Sequence, residues 1–598
     1  MRKAVPALLV VLVILVSGCL GGNTTTGTTS TGSASNTVSS VQSPGSQYKA
    51  PPLRFIYPEE PANVNMSFEN MGEFFWKTYS AVPYSQYGNI SVNYTDGTFR
   101  GRYDFVLTNF TSGPLYLALL VTPNDPLTLN ISIEGVPLEL SRMDVYRWVD
   151  EDGVGIEIYA VNVSTNLTTL KGVVTYDFRY LENKEYIRQM WEHDVFIGTD
   201  FSWWEFASKN ATVTVTPYLP KDTVFVLFDY GVVRNGSEVV YTSPIHPYLG
   251  FSLYLPNLGW TGFEASDVSF TVYYPGDCYD EEGLELVKRE LTFSFGLYQN
   301  ITGIKPVERF NVLFVPGFSW RISREVLGIS AGAVNIGGTF IVDCPSNIGH
   351  SATNFVSTLF HELAHEWFGH YMSFGTFNEP LAEYFRMEAY TRWNQSDALG
   401  WLDRREESRA IWANGALSLR ESLRRNLPAD KEKYIYSVRY AKGAFMLRSL
   451  RLIVGNETFN RILHDVLEEC HGSHCNYTVF IETAENVSGK NLDWFFDEWF
   501  NSTLFPNYSI TNLNLSPTGE GYNLTFTIVD ASNFTMPVPI RIVMENGDSL
   551  DTRVWVNRTA EVSLRLEDRP VKIIIDPDEW MANVNWKFEV EGIEVDVN

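Results

Sequence analysis

The stretch His361-Glu362-Leu363-Ala364-His365 constrains this chain more than any other part of it. On an α-helix two imidazoles four residues apart lie on one face, one turn from each other. On that face both rings can reach a single Zn²⁺ at about 2.0–2.1 Å, and the neighbouring carboxylate stands beside the metal's water as its base. The flanking residues favour such a helix: Phe355, Leu359, Leu363 and Trp367 recur every four positions, Ser351 offers a start cap and Gly369 a stop. The motif is therefore expected in the middle of the helix. The competing explanation is two core histidines at this spacing by accident, and a chain with only nine histidines gives it little room.

A zinc held in this way needs a third protein ligand and one open position. The segment Asn378-Glu379-Pro380-Leu381-Ala382-Glu383 supplies the candidates. Pro380 suits the first turn of a helix, which places Glu379 at its mouth, able to point back toward the preceding helix. Glu383, one turn later, is the rival ligand. With Glu379 as the ligand, Glu383 is expected to orient a ligating histidine, or to be a solvated helix carboxylate.

The chain is long enough for three or four domains, and its hydrophobic content of 44% is that of a globular protein. Residues 1–19 read as a leader: Met1-Arg2-Lys3, an apolar run from Val5 to Val16, then Val16-Ser17-Gly18-Cys19, which resembles a lipobox with Cys19 as the lipid-bearing residue. An ordinary cleaved signal or an uncleaved anchor is the alternative. Residues 20–50 are rich in Thr, Ser, Gly and Asn and cannot bury a core, so they read as a stalk. These features place the folded part at the extracellular face of a membrane, lipid-anchored or secreted.

Roughly twenty Asn-X-Ser/Thr triplets, among them Asn89, Asn166, Asn300, Asn456 and Asn557, fit an exported surface, densely glycosylated if the host attaches glycans and otherwise simply rich in polar Asn and Thr. A net charge of −26 argues against nucleic acid as a partner. Beyond Cys19, four cysteines remain, and an oxidising compartment would pair them. Proximity favours Cys470 with Cys475, leaving Cys278 with Cys344. The competing reading of Cys470-His471-Gly472-Ser473-His474-Cys475 is a second metal site.

The fold expected is multidomain α+β. Residues 51–262 alternate in short Val/Ile/Thr/Tyr/Phe runs and read as an N-terminal antiparallel β domain. Residues 263–505 mix strands and helices, with a helix over Glu281–Leu297, a strand over Phe310–Val315 and a mostly helical part after 396. Residues 506–598 return to alternation, as in Tyr522–Ile528 and Val538–Met544, and read as a C-terminal β-sandwich.

The run His361 to Gly369 (HELAHEWFG) followed by Asn378-Glu379 resembles the gluzincin metallopeptidases of the membrane alanyl aminopeptidase and leukotriene hydrolase family. The resemblance implies a thermolysin-like catalytic domain over 263–505, one Zn²⁺ and a peptide substrate. A further match is Tyr440-Ala441-Lys442-Gly443-Ala444, on a helix with an apolar stripe of Gly443, Met446, Leu450 and Ile453. It implies that Tyr440 donates to the oxyanion of the tetrahedral intermediate, with Glu362 as the general base.

Three departures stand out. The family's substrate strand reads Gly-Ala-Met-Glu-Asn, whereas this chain has Gly332-Ala333-Val334-Asn335, so the glutamate that grips a free amine is replaced by an amide. Glu325 or a residue of the first β domain would then have to supply an anion if the enzyme is an aminopeptidase; an endopeptidase needs none. Thirteen residues separate His365 from Glu379, fewer than the family's eighteen. His370 stands where the family has Asn, and its position round the helix suits a structural role better than a fourth ligand. A reading from another class is a surface scaffold that keeps the peptidase fold without catalysis.

Overall fold

In the computed structural model the described residues are the strands between Tyr84 and Tyr254 with a few adjoining positions, then 257–316, 333–344, 352–424 and 427–597 except His474, Asn585 and Glu591. The leader, Cys19, the stalk, Glu325 and Gly332 lie outside them. The chain forms two compact units that divide between Pro256 and Asn257.

The first unit is built from β1 (Tyr84–Asn93), β2 (Thr98–Thr108), β3 (Gly113–Val121), β4 (Leu127–Ile133), β5 (Tyr146–Val149) and β6 (Gly155–Val163). It continues with β7 (Thr169–Arg179), β8 (Thr212–Tyr218), β9 (Thr223–Leu227), β10 (Gly231–Val233), β11 (Val239–Tyr241) and β12 (Gly250–Tyr254). Six of these strands form one sheet in the order β11-β8-β1-β2-β7-β4, and two three-stranded sheets take the rest. The pairing is not antiparallel throughout, as the alternation suggests, because β8 runs parallel to β1. Strands that far apart in the chain are free to pair in either sense, whereas hairpin neighbours must be antiparallel.

The second unit begins with β13 (Gly259–Ala265) and β14 (Val268–Tyr274). This hairpin corrects the domain boundary expected at 262/263, since β13 crosses it and pairs along its whole length with β14. Next come α1 (Glu281–Thr302), β15 (Arg309–Phe314), β16 (Ala333–Asn335) and β17 (Thr339–Val342), and the sheet runs β13-β14-β15-β17-β16. Helix α1 starts on acidic residues that suit its N-terminus, Glu281 and Glu282, and stops at Gly303, whose φ of 70° turns the chain left-handed. The Cys278–Cys344 disulfide joins the segments that follow β14 and β17.

Two helices carry the candidate site: α2 (Ala352–Ala364) and α3 (Asn378–Trp393). Leu359, Leu363 and Trp367 are buried as the four-residue recurrence predicts, and Trp367 donates its indole N–H to Ile304 O at 3.0 Å. Tyr298 of α1 lies under both helices, its hydroxyl donating to Phe360 O at 2.8 Å and lying 3.2 Å from Phe385 O. The helical part then runs through α4 (Gly443–Val454), α5 (Asn456–Cys470), α6 (Thr478–Ser488) and α7 (Asp493–Asn501), with π-helical turns at Leu402–Glu407 and Tyr436–Lys442.

The C-terminal part comprises β18 (Tyr508–Thr518), β19 (Gly521–Asp530), β20 (Thr535–Met544), β21 (Ser549–Asn557), β22 (Thr559–Leu566), β23 (Pro570–Ile575), β24 (Trp586–Val590) and β25 (Ile593–Val597). Hydrogen bonding joins these strands into one sheet, β18-β19-β22-β21-β20-β23-β25-β24, rather than two separate sheets. The link is narrow, since β21 and β22 share the single pair Asn557–Thr559 around Arg558, whose φ is 63°. Side chains that alternate inward, such as Leu524, Phe526 and Ile528, are buried.

Candidate metal centre and active site

Helix α2 ends at Ala364, so the histidine pair is not in mid-helix; His365 lies just past the last helical residue. The reason is a change of hydrogen-bond step. His365, Glu366 and Trp367 donate to carbonyls three residues back, and His370 and Tyr371 to carbonyls five back. Gly369 makes the reversal possible, because a Cβ there would lie 2.9 Å from the His365 carbonyl. The tightened turn keeps both imidazoles on one side, with their Nε2 atoms 3.3 Å apart.

Glu379, second residue of α3, closes the group. Its Oε2 is 3.3 Å from His361 Nε2 and 3.7 Å from His365 Nε2. The three donor atoms lie within 4.8 Å of one another. A tetrahedral ion with bonds of about 2.0–2.1 Å separates its ligand atoms by roughly 3.3 Å, so this spacing fits zinc. The tautomers fit as well. His361 Nδ1 lies 3.0 Å from Glu383 Oε2 and His365 Nδ1 lies 3.0 Å from Phe368 O, so a proton on each Nδ1 leaves both Nε2 lone pairs facing the centre. His370 is outside this group.

The electrostatics also call for a cation. Burial disfavours a charge on His361, but hydrogen bonds to Glu379 and Glu383 override it and push the ring up to about 10. His365 is held down to about 4, chiefly by burial. Burial opposes the charge of Glu379 too, yet the two imidazoles keep its carboxyl below the ordinary carboxylate range. Two buried carboxylates around one imidazole thus make a site that favours positive charge.

Glu383 is itself held from behind. Arg386 donates to both of its carboxylate oxygens and to Ser357 Oγ at 2.6 Å, and Arg409 reaches Glu383 Oε1 at 3.2 Å. Glu406 neutralises the pair, 2.7 Å from Arg386 and 3.1 Å from Arg409. Although burial works against its charge, these arginines keep Glu383 ionised well below the usual range. Of this supporting set, sequence reasoning reached only Glu383; the arginines and Glu406 carry no local signal that marks them.

Glu362 faces strand β16. The Asn335 backbone N–H donates to Glu362 Oε2 at 3.0 Å, and the Asn335 side-chain amide donates to the Glu362 carbonyl at 2.7 Å. Burial pushes the Glu362 carboxyl up to about 7, against the lowering effect of His361. The Asn335 Oδ1 is occupied as well, accepting from the Gly337 N–H at 2.9 Å. A second tie runs alongside, from the Gly338 N–H to Glu366 Oε1 at 2.8 Å. Ala333 and Val334 complete β16 and are buried.

Tyr440 lies in the π-helical turn Tyr436–Lys442, a geometry that recurs at functional sites. Its ring stacks on His361 with centroids 5.7 Å apart, and its hydroxyl feels the charge of Glu379. Burial and the Glu379 charge push that hydroxyl above its ordinary value, so it stays a proton donor at neutral pH. Lys442, in the same motif, is buried and donates to Ser502 O and Leu504 O, which ties this turn to the chain after α7.

Both expected disulfides are present, and Cys470–Cys475 replaces the alternative reading of that segment as a metal site, because thiols joined to each other are no longer thiolate ligands. Asn166, Asn300, Asn456 and Asn557 are exposed.

Residues 329–499 match the peptidase family M1 domain. Among curated relatives, a "Probable aminopeptidase 2" of Sulfurisphaera tokodaii is 21% identical over 327 residues, 53% of this chain and 37% of the relative. "Aminopeptidase N" of Haemonchus contortus is 24% identical over 37% of this chain and 25% of the relative, and "Aminopeptidase Ey" of Gallus gallus 26% identical over 33% and 22%. The chain thus spans between 22% and 37% of the length of these relatives. The segment that matches the metallopeptidase domain is the one that brings together His361, Glu362, His365, Glu379 and Tyr440.

Proposed function

We propose that this chain is a zinc-dependent peptidase acting at the cell surface, with aminopeptidase-like action on peptides. The observation that carries the reading is the group His361, His365 and Glu379, with its donor atoms at tetrahedral spacing and their Nε2 lone pairs turned inward. Its likeness to aminopeptidases supports the substrate class. The leader with Cys19 supports attachment to the outer face of a membrane through a lipid.

When bound, zinc supplies Lewis acidity that polarises a peptide carbonyl and makes water a competent nucleophile at neutral pH. The chain's own residues do the rest. Glu362, with one oxygen fixed by Asn335, takes the proton of the attacking water and passes it to the leaving amine. Tyr440 donates its hydroxyl to the developing oxyanion, an electrostatic contribution commonly worth about 3 kcal/mol. Glu383 holds the His361 tautomer and ring orientation. The peptide backbone docks along β16, from Ala333 to Asn335.

One observation favours a second reading, in which cleavage does not require a free amine. The Asn335 amide, at the position of the expected amine-gripping glutamate, is spent on Glu362 and Gly337. Hydrolysis of a free peptide and its acetylated counterpart, with and without a chelator, tests both readings. Loss of the free-peptide activity with the chelator supports the zinc peptidase, and equal cleavage of the acetylated peptide selects the second reading. Lack of stoichiometric zinc in the purified protein would leave a surface scaffold instead.

A further inference from the structure

The connection between the two ligand-bearing helices is short, thirteen residues from His365 to Glu379, and the loop closed by the Cys470–Cys475 disulfide holds it. Three backbone hydrogen bonds lay one loop along the other: Gly472 N–H to Tyr371 O at 2.9 Å, Ser373 N–H to Ser473 O at 3.1 Å and Cys475 N–H to Ser373 O at 2.8 Å. Tyr371 and His471 stack beside them, ring centroids 4.0 Å apart and planes within 12°.

Ser373 passes this hold onward. Its Oγ accepts from Asn378 Nδ2 at 3.0 Å and from the Gly375 N–H at 3.1 Å, while Asn378 Oδ1 accepts from the Phe374 N–H at 2.7 Å. Ser373 and Asn378 are fully buried, so these bonds do not compete with solvent. Asn378 is the first residue of α3, and the next is Glu379.

We infer that the Cys470–Cys475 loop is a covalent clamp that positions Glu379 through Ser373 and Asn378 and so slows the loss of the metal. The disulfide fixes the far end of α5, so the segment that pairs with Tyr371–Ser373 cannot fray. Without it Ser373 loses two backbone partners whenever the loop opens, and the bond that sets the start of α3 loses its anchor. The clamp positions a ligand and takes no part in the reaction. The inference rests on the reading of His361, His365 and Glu379 as the zinc set.

The test is zinc release from the full, zinc-loaded chain into excess chelator, together with the visible spectrum of the cobalt(II)-loaded protein. Cys470→Ser/Cys475→Ser is expected to release zinc about 10-fold faster and to shift the cobalt bands, on the scale of outer-shell effects on metal sites. Cys278→Ser/Cys344→Ser is expected to release zinc at the unmodified protein's rate. Asn378→Ala should accelerate release by itself and add little to the cysteine pair, since both act on one route. If the cysteine variant does not fold, two glycines inserted after Gly472 keep both cysteines while breaking the backbone pairing, and should give the same acceleration. A folded clamp variant that releases zinc within about two-fold of the original rate overturns the inference, as do fully additive effects with Asn378→Ala. An unmodified chain without stoichiometric zinc overturns the underlying metal reading, a result distinct from either.

Discussion

Asn335 grips Glu362 twice, from its backbone to the carboxylate at 3.0 Å and from its side chain to the carbonyl at 2.7 Å. The second bond adds to the one that the Glu362 carbonyl accepts from the His365 N–H at 3.2 Å, in the last turn of α2 where the hydrogen-bond step changes. A carboxylate in this place has no hydrogen to donate, which gives the amide at position 335 a physical reason. Asn335→Ala is therefore expected to lower kcat by roughly 10- to 100-fold with a small change in KM, the range seen when a group that orients a catalytic residue is removed. Asn335→Glu should lose activity too, rather than gain preference for free amino termini. Steady-state kinetics on free and acetylated peptides check both; a gain in free-amine selectivity with intact kcat would refute the positioning role.

Glu362→Gln removes the base but none of the three metal-facing donors. It is expected to keep zinc at full stoichiometry and to lose turnover by about 10²- to 10⁴-fold, the usual worth of a positioned general base. Metal analysis and activity on the same sample decide the matter. Full activity would exclude Glu362 as the base.

Packing sets Tyr440 against His361 through a close helix contact. At Gly443, three residues after Tyr440, an added Cβ would meet Pro380 Cβ and Cγ at 2.8 Å. Gly443→Ala must push α4 away from α3, the helix that bears Glu379 and Glu383. The expected cost is about 1–3 kcal/mol of stability, with a lower kcat as the Tyr440 ring shifts. Calorimetry and kinetics measure the two effects; an unchanged Tm would show that the helices yield without strain.

What could be read from the chain alone was the part whose geometry is local. His361 and His365 are related by helical spacing, Glu379 is placed by the proline that follows it, and four cysteines leave few ways to pair. The end of α2 was not legible, because the apolar recurrence runs on through Trp367 even after the hydrogen-bond step has changed. The role of Asn335 was equally hidden, since its partner lies 27 residues away. The same holds for Arg386 and Glu406 behind Glu383, and for Ser373 against Ser473, which depend on tertiary packing. Composition changes at 262/263, inside strand β13, while the pairing of that strand with β14 is a matter of register.

Glu290 on α1 offers a test unconnected with the site. It is fully buried, and neither carboxyl oxygen has a hydrogen-bond partner among the described residues. Burial pushes the carboxyl up to about 8, partly offset by Arg289. Between pH 4.5 and about 8 the folded chain keeps a proton that the unfolded chain has released, so this group's contribution to stability falls as pH rises through that window. Glu290→Met removes the titration and leaves an apolar side chain of similar length in an apolar place. Its advantage over the unmodified protein should grow by about 2–4 kcal/mol from pH 5 to pH 8, given about 1.4 kcal/mol per pKa unit. Chemical denaturation at the two pH values gives the difference directly, and parallel stability curves would show that Glu290 finds a partner when it ionises.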